Sequence, residues 1–167
     1  MSNIYVGTYR KYNEGSLKGE WLDLSDYANK DDFLEACAKL HSDEADPELM
    51  FQDWEDIPAR FIGESHIDEQ IWDWLALSED EREIVAIYID QVDQNSPVET
   101  ALESYEGEHD SAEDWARDFW DQTGMFSQVP EFAQNYIDYE QFARDCRLGG
   151  DMVFVEKGRS VRAFRRN

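Results

Sequence analysis

VPEFAQNYIDYEQFARDCRLG, residues Val129–Gly149, is the stretch from which the rest of the chain is best read. Pro130 opens it, and Phe132 and Tyr136 follow four residues apart. Asp138 is placed to cap a helix, with Gln141 three residues on as its capping-box partner. On that helix Tyr139, Phe142, Ala143 and Cys146 recur at i, i+3, i+4 and i+7, the spacing of one helical face. Arg144, Asp145 and Arg147 point elsewhere, and Gly149-Gly150 ends the run. Such a face is either the core of a C-terminal unit or the contact with a second copy of the chain; aromatic residues suit both. The stretch also marks a reversal of charge. Residues 1–140 hold 36 acids against 8 bases, whereas residues 141–167 hold 3 acids against 7 bases.

Downstream, residues 151–155 and 160–164 form two apolar runs around Lys157-Gly158, a hairpin signal. Upstream, Ser111 caps a predicted helix that ends at Gly124, a residue suited to a C-terminal stop. Residues 106–167 therefore form a C-terminal α+β domain. Before it, Ile67, Ile71, Trp74 and Leu75 follow a helical period, and Ser78 with Glu81 forms a capping box. Ser96-Pro97 starts a third short helix. Residues 65–105 are accordingly a small central helical domain. Residues 1–64 are an N-terminal α+β domain. It has a strand at Ile4–Tyr9, an extended run from Leu17 to Leu24, a helix capped by Asp31 or Asp32, and a strand at Glu48–Trp54. The expected class is α+β, elongated, with three small domains.

The chain has 167 residues and a net charge of −24. Its aromatic content of 14%, with six Trp, separates it from a disordered acidic tail. Halophilic adaptation is the bland account of the charge, but so much large apolar surface exceeds what solubility requires. A negative field of this size repels phosphate, which argues against binding nucleic acid. No run of eighteen apolar residues is present, so no membrane span is expected. The N-terminus has no apolar h-region. Cys37 and Cys146 lie far apart without a CxxC pair, the pattern of reduced thiols in a cytoplasm. No P-loop, HExxH, GxSxG or metal-ligand spacing occurs, so neither an enzyme, a cofactor nor a metal site is expected. With 39 acids, some carboxylate pair is always at hand, so proximity alone does not identify a glycosidase.

Three helices carry acidic faces. Asp110, Asp114, Asp118 and Asp121 gather nearly opposite Ala112, Trp115, Ala116 and Phe119; Glu79, Glu83 and Asp90 repeat the theme, as do Glu69 and Asp73. Like charges at i, i+4 cost about 0.2–0.5 kcal/mol per pair. One such face is a solvated surface, but three with almost no lysine suggest a field that is used. B-DNA carries one charge per ~1.7 Å of axis, so a charge of −24 matches about 40 Å of duplex and a dimer about 80 Å.

The segments NYIDYEQFARD, IYVGTYRKYNEGSLKGEW and GGDMVFV resemble the ArdA family of antirestriction proteins, in order along nearly the whole chain. The resemblance implies an elongated three-domain protein that dimerises through its C-terminal domain. Its acidic surface would mimic bent DNA in the groove of type I restriction–modification enzymes, inhibiting restriction and modification with it. The antirestriction motif of the family corresponds to residues 134–145, which implies a dimer interface at Tyr136, Ile137, Tyr139, Phe142 and Ala143. Such proteins are typically carried on mobile genetic elements. The alternative is an acidic binding module or chaperone for a basic DNA-binding protein. The basic end, Arg159, Arg162, Arg165 and Arg166, is not part of the mimicry argument. It either guards an edge strand or pairs with acids of a neighbouring subunit.

Overall fold

Ile4 and Val6 alternate with Tyr5, and that alternation places one apolar row on one face of the first strand. In the computed structural model, which describes residues 1–166, both side chains are fully buried. The protein is a mixed α+β chain with two three-stranded antiparallel sheets. It divides into two compact units, Met1–Arg82 and the chain from Glu83 onward.

In the first unit β1 (Asn3–Thr8) is central, flanked by β2 (Glu20–Asp23) and β3 (Leu49–Glu55). Ile4 pairs with Leu22 on one side and Trp54 on the other, and a bulge follows Tyr5. The expected long hairpin loop contains a short helix, α1 (Tyr9–Asn13), and the strand after it is shorter than the apolar run from Leu17 implied. Thr8 caps α1, accepting from the Lys11 backbone N–H. Helix α2 (Lys30–Leu40) is capped by Asn29 rather than Asp31 or Asp32. Asn29 holds an extended backbone and accepts from the Asp32 N–H, and the two aspartates lie inside the first turn, where they complement the helix dipole. Phe33 and Cys37 of α2 are buried, with Phe33 near Phe51 and Trp72. Helix α3 (Gln70–Leu75) buries Ile71 and Trp74. Arg82 closes its C-terminal end, donating to the carbonyls of Trp74 and Leu75 and lying 4.5 Å from the Trp74 ring centroid.

Near α1, the Lys11 ammonium is drawn inside. It lies 2.8 Å from Asp43 Oδ1, 3.2 Å from Glu44 Oε2 and 2.8 Å from His41 Nδ1. Three donors thus meet three acceptors. His41 Nε2 faces the Val6 carbonyl at 3.1 Å, so it carries the proton and Nδ1 accepts. The ligand atoms of His41, Asp43 and Glu44 lie within 4.8 Å of one another, and the cation among them is this ammonium. Burial works against the charged lysine, but hydrogen bonds to Asp43 and Glu44 outweigh it and hold its pKa above the ordinary value.

The second unit has β6 (Ser160–Arg165) between β4 (Tyr105–His109) and β5 (Met152–Lys157). One face of this sheet meets Tyr88 of α4 (Glu79–Gln91): its ring lies 5.6 Å from Phe164, and Tyr105 lies 5.3 Å from Phe164. Short helix α5 (Val98–Glu103) buries Val98 and Ala101. The other face carries α6 (Ala112–Thr123) and α7 (Tyr139–Leu148) over a core of Trp115, Ala116, Ala143, Met152 and Ala163. Ser111 caps α6, and Gly124 ends it at φ 67°, a left-handed conformation that glycine adopts without a Cβ penalty. Two 3₁₀ segments, Met125–Gln128 and Glu131–Tyr136, lead to α7. The Gln134 amide pins them, donating to the carbonyls of Phe126 and Val129.

The helices expected to make a separate domain over 65–105 are shared between these units. Helix α3 lies in the first, α5 in the second, and α4 runs across the boundary after Arg82. Forty residues of short helices have little core of their own, so each buries its apolar side against a neighbouring sheet or helix. Among the described residues no helix is long and apolar enough to cross a membrane.

Candidate protein-interaction surface

Helix starts explain several of the acids locally. Glu79, Asp80 and Glu81 occupy the first turn of α4, where carboxylates are stabilised by the dipole. The capping box is formed: the Ser78 N–H donates to Glu81 Oε2 at 2.8 Å and the Glu81 N–H donates to Ser78 Oγ at 3.2 Å. Of the nine acids singled out in the sequence, Glu69, Asp73 and Glu79 lie in the first unit, and all three are exposed. In the second unit Asp90, Asp110 and Asp121 are exposed. Of the other three, Glu83 and Asp118 are exposed as well, and each of the three has a local partner. Asp114 is half-buried in the α6 cap, where Ser111 Oγ donates to its Oδ2. Asp118 lies 3.3 Å from His109 Nδ1.

Glu83 is the third. It takes Lys157 Nζ at 2.6 Å and Arg162 Nη2 at 3.2 Å, and these bonds, led by that from Lys157, hold its carboxyl below the usual range. Its charge is largely cancelled by its own unit. The first unit carries a net −14 and the second −10, so the acid excess is present in both.

The basic end is partly internal. Strand β6 is central, so its arginines do not guard an edge. Arg162 is only 7% exposed and reaches Glu83, and its Nε and Nη1 are buried without hydrogen-bond partners. Arg165 Nε bonds Glu106 Oε1 at 3.0 Å and its Nη2 donates to the Glu103 carbonyl. Arg159 and Arg166 are exposed. Pairing of Arg162 and Arg165 with acids of their own unit was not legible in the sequence, because the partners lie 79 and 59 positions away.

The five motif residues do not share one surface. Ala143 is buried; Ile137, Tyr139 and Phe142 are half-buried; Tyr136 is 85% exposed. The helical face of α7 packs on α6: Phe142 lies 5.7 Å from both Phe119 and Trp120 and stacks on Trp115 at 6.2 Å. Tyr139 is covered by the Arg117 guanidinium, 4.6 Å from its ring. The face that the periodicity left open between core and subunit contact is thus core-facing within one chain. The apolar surface left open in this stretch is Phe132, 80% exposed, together with Tyr136 and Leu148.

Comparison with curated proteins finds no match. The model of the antirestriction protein (ArdA) family matches residues 4–161, almost the whole chain and both of its units. By that match the chain belongs to the ArdA family of antirestriction proteins.

Proposed function

We propose that this antirestriction protein works as a DNA mimic. It occupies the DNA-binding groove of type I restriction–modification enzymes and does no chemistry. The observation that supports this reading best is the distribution of open acids. Exposed carboxylates occur on helices of both units, while the bases that are well buried, Lys11 and Arg162, pair with acids of their own unit. Such pairs take up acids and bases in nearly equal number, so they leave the net negative charge of each unit largely unchanged. A groove built for phosphates would be attracted to such a surface, and the attraction would weaken with salt.

Two chains would pair through Tyr136 of the antirestriction motif and Phe132 just before it, with the half-buried edges of Ile137, Tyr139 and Phe142 beside them. Pairing would double the charged length without adding a target contact. In a type I restricting host, expression of the protein should raise plating of unmodified phage. Unchanged restriction at good expression, across several type I families, would sink the proposal.

A further inference from the structure

Of the four sheet edges, β2, β3, β4 and β5, three are blunted. Strand β2 is only four residues long and carries Glu20 and Asp23. Strand β3 meets its neighbour through a bulge, and its Phe51 N–H is taken by the Glu64 carbonyl. Strand β4 is broken between Tyr105 and Glu108, with Gly107 at φ 93°. Strand β5 is different. It keeps one unbroken register with β6, from Met152 opposite Arg165 to Lys157 opposite Ser160, and it holds no proline. A straight edge of this kind, with Val153, Phe154 and Val155 at its centre, is a template for pairing with another strand.

The hydrogen bonds fix which groups that edge offers. The Arg166 N–H donates to the Asp151 carbonyl, so Asp151, Val153, Val155 and Lys157 are the residues bonded to β6. The backbone N–H and C=O groups of Met152, Phe154 and Glu156 therefore point the other way. Among the described residues no backbone or side-chain group bonds them.

We infer that the free edge of β5 pairs with the same edge of a second copy, antiparallel, joining two three-stranded sheets into one. Groups that face the edge can bond only to groups that face the edge, so the twofold axis passes through a residue of β5 and not between two. An axis at Phe154 pairs the whole strand. Phe154 then stands opposite itself, Val153 opposite Val155, Met152 opposite Glu156, and Asp151 opposite Lys157, a match of opposite charge. An axis at Val155 sets Phe154 against Glu156 and leaves Asp151 outside. An axis at Val153 runs into Gly150, whose φ of 84° lies outside the strand region.

The surface beside the edge suits the same partner. Two cavities of about 210 and 390 Å³ adjoin there and share Ala112, Arg147 and Phe154. Around them Arg144, Arg147 and Arg159 form no ion pair among the described residues, although the chain has 39 acids. Glu140 and Glu156, in the same walls, form none either. Unpaired charges of both signs next to a twofold axis can complement one another across it. The contact is separate from the one through Phe132 and Tyr136, and it does not rest on the mimic reading. A single strand pair buries less than the roughly 1,200–2,000 Å² of a stable interface, so it fills with concentration.

Amide hydrogen exchange of the full chain, read by NMR at low and high protein concentration, tests the pairing. Val153 and Val155 should stay protected throughout, because they bond β6. Phe154 and Glu156 should exchange freely at low concentration and at least about tenfold more slowly at high concentration. Equal exchange of these two amides at both concentrations overturns the edge pair. Glu156→Pro removes an edge-facing N–H and no bond to β6, a place where an edge strand tolerates proline. In that variant the slowing of Phe154 should disappear, and slowing that persists in the folded variant overturns the proposal. Tyr136→Asp leaves the edge intact and should keep the slowing. Its loss there would assign the protection to the Phe132 and Tyr136 contact and overturn the edge pair.

Discussion

Replacing Phe142 with alanine tests whether the helical face of the antirestriction motif is core or contact. The ring meets Phe119 and Trp120 at 5.7 Å and Trp115 at 6.2 Å. Phe→Ala in a core costs about 3–5 kcal/mol. Phe142 is half-buried, so the transfer part is smaller, but loss of the ring pairs adds to it, at about 0.5–1.5 kcal/mol per pair where geometry is good. A loss of about 3 kcal/mol is expected. With an m-value of about 1.5 kcal/mol/M for urea, the unfolding midpoint of the second unit should fall by about 2 M. Urea titration read by tryptophan fluorescence and far-UV dichroism measures it, at two protein concentrations to separate unfolding from dissociation. An unchanged midpoint, with only a concentration-dependent change in assembly, would refute the packing argument and return Phe142 to a pure subunit contact.

Four further outcomes follow from the same geometry. Tyr136→Asp places a charge on an 85% exposed ring, so the fold should stand; if Tyr136 is part of a dimer contact, sedimentation should show folded monomers, and folded dimers would displace the contact elsewhere. Lys11→Met leaves Asp43 and Glu44 without their cation, and the melting temperature of the first unit should fall; no change would mean that the cluster contributes nothing net. The carboxyls of Asp43, Glu44 and Glu83 are held low: Asp43 by Lys11, Glu44 by Thr8 and then Lys11, Glu83 by Lys157 and then Arg162. Because their folded pKa values are depressed, their contribution is full above the ordinary carboxylate range and is lost as pH falls through the folded values. Urea midpoints should therefore be flat from pH 8 to about pH 5 and fall below it. Burial pushes the Cys37 thiol up to about 12, so iodoacetamide at pH 8 should leave Cys37 unmodified until the first unit unfolds.

Local features were the most legible in the sequence. Ser111 and Gly124 bracket α6 as read, Asp138 caps α7, and the Lys157-Gly158 turn joins β5 to β6, because each is set by residues within a few positions. Helix α1 was missed. Five residues carry little periodicity, and what secures them is Lys11 reaching His41, Asp43 and Glu44 some thirty positions away. The same holds for Glu83 with Lys157 and Arg162: a lone acid in an acidic helix gives no sign of its partner. Periodicity placed Tyr139, Phe142 and Ala143 on one face of α7, but only the packing of α6 shows where that face goes. The 65–105 segment was read as one body because its pattern is uniformly helical, yet α3 falls in the first unit and α5 in the second. For the candidate surface, the acid-rich helices were legible, but the pairing of Asp118 with His109 was not, since the two come together only through the fold of β4 onto α6.

The central claim is mimicry, and displacement measures it most directly. A purified type I methyltransferase bound to a fluorescent DNA duplex is titrated with the protein at 50 mM and 200 mM salt. The account predicts stoichiometric release of DNA at low salt, through a complex of protein and enzyme that excludes the duplex, and a clearly weaker affinity for the enzyme at high salt. A ternary complex that retains the DNA, or an affinity independent of salt, would contradict it.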